Sequence, residues 1–232
     1  MKPKRLFTKR DAAEESDEAR EKRAREILKR LSLRFPAARI ALTYKNPIQL
    51  MVAVVLSAQC TDKKVNEITA LLFKKYKTAM DFAKADLATF EREIYSTGFY
   101  RAKARNIIAA AKIIDSKFKG KLPRTMEEML ILPGIARKSA NVILGNAYGV
   151  VEGIAVDTHV ARVALRLGLT KFFNPVKIEK DLMALFGRER WFGLTYKVIE
   201  HGRNICDAKK PKCSTCPLNG ICPSAFNLPN FV

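Results

Sequence analysis

Apolar residues recur along the chain at the spacing of amphipathic α-helices, and no stretch shows the sustained alternation typical of a β-strand. The first clear helix is predicted from a Ser16 cap to about Arg34, and Pro36 ends it. Its inward face is expected to hold Ala24, Ile27, Leu28 and Leu31. The charged segment before it is expected to be loose at its tip, residues 1–5. These patterns predict an all-α protein.

A second helix is predicted to lie at the centre of the fold. Asn46 followed by Pro47 is typical of a helix cap with proline at the first helical position. The residues from Ile48 to Leu56 are apolar nearly all round, so we expect this helix to be buried. Cys60, just beyond it, is expected to be a small buried residue. Helical spacing recurs at Val65, Ile68 and Leu72, and at Ala104, Ile107, Ile108 and Ala111.

Residues 125–149 are typical of two helices joined by a tight turn. Thr125 and Glu128 fit a capping box at the start of the first helix. The proline and glycine of the turn, residues 132–136, favour a sharp reversal, and a second helix is predicted from about Ala136 to Ala147. Unpaired amides and the positive dipole end at its start suit a phosphate group, although a plain helical hairpin has the same pattern. The residues expected to contact a phosphate group here are Leu132, Gly134, Ala136 and Arg137.

Lys138 follows this turn directly, and Asp157 opens the next predicted helix within residues 156–159 (Val-Asp-Thr-His). Most helix lysines are solvated surface charges. At this position the helix dipole, the adjacent Arg137 and burial against a bound partner would favour the neutral amine, which can attack a sugar carbon and form a Schiff base. Asp157 is expected to cap its helix, and a capping carboxylate is compatible with a second role in stabilising positive charge on a sugar ring.

Four cysteines near the C-terminus follow the pattern C-x6-C-x2-C-x5-C within seventeen residues: Cys206, Cys213, Cys216 and Cys222. Such a group in a cysteine-poor chain indicates one tetrahedral thiolate site. The charged N-terminus lacks an apolar stretch, so we expect no signal peptide and a cytoplasmic, intracellular protein in which disulfides are disfavoured. The spacing by itself does not distinguish zinc from iron–sulfur ligation.

Positive charge dominates the composition, with 43 basic against 23 acidic residues and a net charge of +20. Such a field attracts polyanions without specifying their sequence. Beside the cysteines, Arg203 and the loop that carries Lys209, Lys210 and Lys212, here called the lysine loop, are expected to contact phosphate. A solvated run of charges is the alternative. No segment reaches about 18 uninterrupted apolar residues, so no membrane span is expected.

Several segments together carry a resemblance to a known family. They are residues 56–62 (LSAQCTD), residues 98–104 (GFYRAKA), the hairpin with Lys138, residues 156–159, and residues 201–203 (HGR) leading into the cysteines. In these segments and in their order, the chain resembles the endonuclease III branch of the helix-hairpin-helix DNA glycosylases, from about Arg34 to Pro223.

The resemblance implies two helical domains with a cleft between them. Residues 40–150 would form a continuous helical domain with the hairpin, and residues 1–39 and 151–232 a domain with a [4Fe–4S] cluster on the four cysteines. By the same match, Lys138 falls at the Schiff-base lysine and Asp157 at the catalytic aspartate. Gln59 falls where the family fills the gap left by an extruded base, and Phe99 where a wedge enters the base stack. Capping a helix end and packing in the core are their respective alternatives.

The implied activity is that of a bifunctional DNA glycosylase and AP lyase of base excision repair, expected to be a monomer. It would excise oxidised pyrimidines from double-stranded DNA, act on abasic sites, and nick the strand by β-elimination. Ala136 departs from the family, which often has a second glycine there. Two other classes stay open: a monofunctional mismatch glycosylase acting on thymine, uracil or adenine, against which Lys138 argues, and a non-catalytic DNA-binding module.

Overall fold

The computed structural model describes residues 8–227, which form twelve α-helices, three short 3-10 helices and no strand. The α-helices are α1 Lys9–Ala13, α2 Asp17–Arg34, α3 Pro47–Leu56, α4 Asp62–Lys75, α5 Ala79–Ala83, α6 Leu87–Glu93, α7 Tyr100–Phe118, α8 Met126–Leu130, α9 Arg137–Tyr148, α10 Thr158–Arg166, α11 Pro175–Leu185 and α12 Arg188–Asn204. The 3-10 helices are Tyr95–Thr97, Cys213–Thr215 and Asn219–Ile221. The prediction of an all-α protein is confirmed. The tip expected to be loose, residues 1–5, lies outside the described residues.

The chain divides into two compact units, of which one is the continuous segment Ile40–Glu152. The centre of this unit is α3, whose residues are buried all the way from Ile48 to Leu56, as its pattern predicts. It begins as predicted too, because the Asn46 side chain accepts a hydrogen bond from the Gln49 amide at 2.9 Å. Helices α4, α7 and α9 pack around α3. Cys60 is only half-buried against this core, since it belongs to an exposed loop rather than to a helix face.

The second unit is formed by the segments before and after Ile40–Glu152. Here α2 packs against α12, and its predicted inward face of Ala24, Ile27, Leu28 and Leu31 is buried. Helix α10 also packs on α12, and it does so closely: a Cβ added to Gly202 would lie 3.0 Å from the His159 Cβ. Glycine at this position therefore allows the two helices to approach each other.

None of the helices in the described part of the chain is long and apolar enough to cross a lipid bilayer.

Candidate nucleic-acid site and metal centre

The hairpin turn between α8 and α9 is anchored by burial and by one glycine. Leu132 is buried, and its carbonyl accepts a hydrogen bond from the Ile135 amide at 3.1 Å. Gly134 has φ +82°, and a Cβ at this position would lie 3.0 Å from the Cβ of Asn106 on α7. Two independent reasons, backbone conformation and space, therefore favour glycine in the turn. Asn106 was not identified from the sequence, because its contact with the turn comes from a distant helix.

The capping box predicted for α8 is only half formed. The Thr125 hydroxyl accepts a hydrogen bond from the Glu128 amide at 3.2 Å, as predicted. The reciprocal bond, from the Thr125 amide to the Glu128 carboxylate, is not present in the described residues. The Glu128 side chain is thus not a capping group here.

The start of α9 presents its amides without a capping side chain. Ala136 occupies the N-cap position in extended conformation, with φ −99°, so it precedes the helix, and alanine fits there without strain. Arg137 donates a hydrogen bond to the Glu152 carbonyl at 3.3 Å. Lys138 is exposed in the first helical turn. Because no side chain of Ala136 can satisfy the first amides, this end of the helix is suited to an anionic group. The helix ends at Gly149, as predicted.

Asp157 caps α10, as its position in the sequence predicts. Its Oδ1 accepts a hydrogen bond from the Val160 amide at 2.7 Å, and the residue is half-buried. His159, two residues further along, has its Nδ1 3.1 Å from a guanidinium nitrogen of Arg162. Burial lowers the pKa of His159 from its usual value. Lys138 belongs to the Ile40–Glu152 unit, and Asp157 belongs to the other unit.

Gln59 and Phe99 share an unusual backbone conformation within the Ile40–Glu152 unit. Gln59 has φ 51° and Phe99 has φ 49°, and both lie in the left-handed region. Gln59 is exposed, and Phe99 is 67% exposed, so Phe99 does not pack in the core. Ser57 and Thr61 are the residues that cap α3 and α4, so Gln59 is not a helix cap. Strained, exposed residues of this kind are typical of functional sites.

Lys103 is a buried lysine whose importance was not recognised from the sequence. It lies on α7 and is only 5% exposed. Its Nζ donates hydrogen bonds to the carbonyl of Leu56, at 2.7 Å, and to that of Thr97, at 2.9 Å. Burial lowers the pKa of Lys103 from its usual value. The signal present in the sequence was its place in the apolar spacing of α7, directly before Ala104 and four residues before Ile107.

The four C-terminal cysteines line a single cavity. All four are half-buried free thiols, so none forms a disulfide. The Leu218 amide donates a hydrogen bond to Cys216 Sγ at 3.4 Å, and Arg166 Nη1 lies 3.4 Å from Cys206 Sγ. Burial raises the pKa of Cys216 to about 11, so ligation has to displace a proton from a desolvated thiol.

Donors directed at sulfur and a shared cavity fit a cluster ligated by thiolates. Within residues 8–227, no group of three or more His, Cys, Asp or Glu side chains is arranged to hold a single metal ion. The four thiols instead surround the cavity.

Arg166 connects the cysteine cavity to the lysine loop. This arginine is 2% exposed, and it donates hydrogen bonds to the carbonyls of Asp207, at 2.6 Å, and Ala208, at 2.8 Å. The Asp207 carboxylate in turn accepts hydrogen bonds from the amides of Lys209 and Lys210, at 2.8 and 2.9 Å. Hydrogen bonds therefore hold the main chain of the lysine loop, while its three lysines are exposed. Arg203 is exposed as well and lies 3.8 Å from Glu200.

Comparison with known families defines the class of protein. The HhH-GPD superfamily of base excision DNA repair proteins matches residues 52–188, and the iron–sulfur binding domain of endonuclease III matches residues 206–222. The first match contains the α8–α9 hairpin together with Lys138 and Asp157, and the second begins and ends at the outer two of the four cysteines. The class is therefore that of a helix-hairpin-helix base excision repair protein with an iron–sulfur domain.

Individual relatives identify the family within this class. The chain is 48% identical over 207 residues to endonuclease III of Synechocystis sp., covering 89% of this chain and 94% of that protein. It is 44% identical over 189 residues to endonuclease III of Bacillus subtilis, covering 81% and 86%. A solved structure of a trapped endonuclease III–DNA covalent intermediate is similar with a TM-score of 0.86 at 41% identity, covering 89% of this chain and 97% of that one. The chain belongs to the endonuclease III family.

Membership of this family decides the questions that cysteine spacing and charge left open. The protein is a bifunctional DNA glycosylase and AP lyase of base excision repair, and DNA is its partner. Its cofactor is a [4Fe–4S] cluster, which confirms the iron–sulfur prediction. The predicted activity and cofactor are thus confirmed, whereas the roles of individual residues stay predictions.

Proposed function

We propose that this enzyme excises oxidised pyrimidines from double-stranded DNA through a Schiff base on Lys138, and that it also acts on abasic sites. The observation that carries this proposal is the position of Lys138, exposed in the first turn of α9 directly after the hairpin. A DNA phosphate bound by the uncapped amides of this helix would bring a deoxyribose towards the amine. A relative that forms a trapped covalent intermediate with DNA supports covalent chemistry of this type.

The proposed reaction has two stages. The neutral Lys138 amine attacks C1′ of the everted nucleotide, and the bond from C1′ to the base breaks as the base receives a proton. A proton then passes from the attached nitrogen to the ring oxygen as the bond between C1′ and that oxygen opens, which gives the protonated Schiff base and a free hydroxyl group. Removal of a proton from C2′ then expels the 3′-phosphate, which cuts the strand on the 3′ side of the sugar. Asp157 would stabilise the positive charge that develops on the sugar and assist the proton transfers.

Eversion of the nucleotide leaves a gap in the duplex. The C1′ atom cannot be reached inside a stacked helix, so the target nucleotide must leave it before attack. Gln59 and Phe99, both exposed and in left-handed conformation, would enter the duplex at this point, Gln59 in the gap and Phe99 between bases. The hairpin residues, Arg203 and the lysine loop would hold phosphates on either side.

We expect a monomer to be sufficient for this reaction. Lys138 and Asp157, the two residues to which the proposal gives chemical roles, are both present in each copy of the chain. The [4Fe–4S] cluster would have a structural role in this scheme, because its ligand Cys206 immediately precedes the loop that Arg166 holds in place.

Borohydride trapping tests the assignment of Lys138. The wild-type protein, reacted with a duplex that contains one abasic site, should give a covalent protein–DNA adduct on reduction. Lys138→Ala should give no adduct while still binding the duplex, because the hairpin amides remain in place. Lys112→Ala, which removes an exposed lysine from α7, is the matched control and should form the adduct normally. An adduct of normal yield with Lys138→Ala would disprove the assignment.

A duplex panel tests the substrate class. We expect the wild-type protein to release oxidised pyrimidines and to cut the strand at the same site. Release of thymine or uracil from mismatches without strand cutting would instead indicate a monofunctional glycosylase.

A further inference from the structure

Lys103 is a buried cation that has no part in the proposed chemistry. Both hydrogen bonds of its ammonium group among the described residues go to main-chain carbonyls, those of Leu56 and Thr97. Burying an ammonium group is costly unless its hydrogen bonds compensate, and an aliphatic side chain would suit the apolar face of α7 better. The hydrogen bonds to these two carbonyls therefore explain why a lysine occupies this buried position.

The two carbonyls belong to the ends of two different elements. Leu56 is the last residue of α3, and Thr97 is the last residue of the 3-10 helix Tyr95–Thr97. Carbonyls at helix ends have no partner within their own helix, and a lysine amine can satisfy them. One ammonium group thus joins two chain segments that are 41 positions apart, from Leu56 to Thr97.

Each of these two segments leads directly into a strained, exposed residue. Gln59 follows Leu56 by three positions, and Phe99 follows Thr97 by two. Both have positive φ although neither is glycine, a conformation that persists only when the surroundings enforce it. Within the loops themselves, the support includes main-chain hydrogen bonds from Cys60 to Ser57, at 3.2 Å, and from Gly98 to Tyr95, at 3.4 Å. Lys103 adds to this local support one hydrogen bond to each of the two segments.

We propose that Lys103 is a positioning residue that couples the Gln59 loop to the Phe99 loop, so that both side chains enter the duplex as one unit. The inference rests on the proposed function, in which these two residues contact DNA at the everted nucleotide. Lys103 does not touch DNA in this scheme. Its loss acts on DNA binding only through the two residues that it positions.

A mutant cycle on DNA affinity tests this coupling. Gln59→Ala, Phe99→Ala and the double variant are compared for binding to a duplex with a stable abasic analogue, first with Lys103 present. We expect the two substitutions to be non-additive by at least about threefold in affinity, as is usual for interacting residues. Additive effects in this background would overturn the proposal, and this outcome does not require any Lys103 variant to fold.

The same cycle is then repeated in a Lys103→Met background. We expect Lys103→Met to weaken binding, and the coupling between Gln59 and Phe99 to disappear. Coupling of unchanged size would overturn the proposal. Ile107→Val, a substitution in the core one turn further along α7, is the control for weakened packing and should leave the coupling intact.

A spectroscopic signal separates positioning from simple destabilisation. With 2-aminopurine opposite the abasic analogue, insertion of side chains unstacks the base and raises its fluorescence. At saturating protein, Lys103→Met should give less than the wild-type increase, and Ile107→Val should give the full increase. A full increase with Lys103→Met would overturn the proposal.

The outcomes also distinguish this proposal from the proposed function. If Gln59→Ala and Phe99→Ala leave affinity and fluorescence unchanged, the DNA-contacting role of the loops fails and the role of Lys103 fails with it. If the single variants weaken binding but show no coupling, only the role of Lys103 fails. Borohydride trapping on Lys138 is independent of both results.

Discussion

Substitution of Asp157 can separate its capping role from its proposed catalytic role. The cap is one hydrogen bond, from the Val160 amide to Asp157 Oδ1 at 2.7 Å. Asparagine keeps an oxygen at this position and caps helices about as well as aspartate. Loss of the negative charge at the helix start should cost about 0.3–1 kcal/mol of unfolding free energy. Alanine removes the cap as well as the charge. Asp157→Ala should therefore lower the unfolding free energy by about 0.5–2 kcal/mol in total, which is more than Asp157→Asn should lower it.

These energies are large enough to measure by thermal unfolding. For a chain of this size, about 1 kcal/mol corresponds to roughly 2–4 °C in the unfolding midpoint. We therefore expect Asp157→Asn to unfold close to the wild-type temperature and Asp157→Ala to unfold a few degrees lower. In single-turnover excision on an oxidised-pyrimidine duplex, both variants should be slower by about 10²–10⁴-fold, the usual contribution of a proton-transfer group.

A second capping aspartate provides the control for this experiment. Asp86 caps α6 by accepting a hydrogen bond from the Thr89 amide at 2.9 Å, and no catalytic role is proposed for it. Asp86→Asn should resemble Asp157→Asn in stability and retain the wild-type excision rate. If Asp157→Asn also excises at the wild-type rate, the carboxylate is not needed for catalysis and capping is its whole function.

Three further predictions concern the lysine loop, the cluster and the hairpin turn. Neutralising the lysine loop should flatten the salt dependence of DNA binding by about 0.9 log units for each phosphate that the loop no longer neutralises, measured as affinity against salt concentration; an unchanged slope would mean that the lysines are only solvated. The purified protein should contain iron and sulfide and absorb visible light, and removing the cluster should reduce the same salt slope by disordering the loop. Stoichiometric zinc in a colourless protein would contradict this. Gly134→Ala should lower the unfolding free energy measured in urea more than Gly149→Ala does. Both glycines have positive φ, which costs an alanine about 1–2 kcal/mol. Only the Cβ added at Gly134 meets a neighbour, Asn106, within 4 Å. Equal costs would show that the turn moves away from α7 without penalty.

Helix positions could be predicted from the sequence because their signals are local. Ser16 and the Asn46–Pro47 pair identify helix starts through groups only a few residues apart, and both are confirmed as caps. The same holds for Gly149, whose positive φ ends α9. The capping box at α8 shows the limit of this reasoning, because Thr125 forms its predicted bond and Glu128 does not. A local pattern indicates that two groups are within reach of each other, and it does not ensure that they bond.

The supporting residues of the site could not be predicted, because their partners are distant in sequence. Lys103 bonds to a carbonyl 47 positions away, and Arg166 to one 42 positions away. Nothing in a composition of 43 basic residues indicates which few are buried. Every residue has a main-chain carbonyl. The sequence therefore does not indicate which two carbonyls accept hydrogen bonds from a buried lysine. The left-handed conformation of Phe99 could not be predicted either, because a residue other than glycine normally avoids it.

The division of the chain has a consequence for its synthesis on the ribosome. The Ile40–Glu152 unit is continuous, whereas α2 finds its partner α12 only after that whole unit has been translated. At about 5–20 residues per second, the stretch of about 150 residues between the end of α2 at Arg34 and the start of α12 at Arg188 takes roughly 8–30 s to make. During this delay the apolar side of α2 lacks its native contacts with α12, and it is accessible to a chaperone at the ribosomal exit. A helix made early in translation is therefore among the last to be buried.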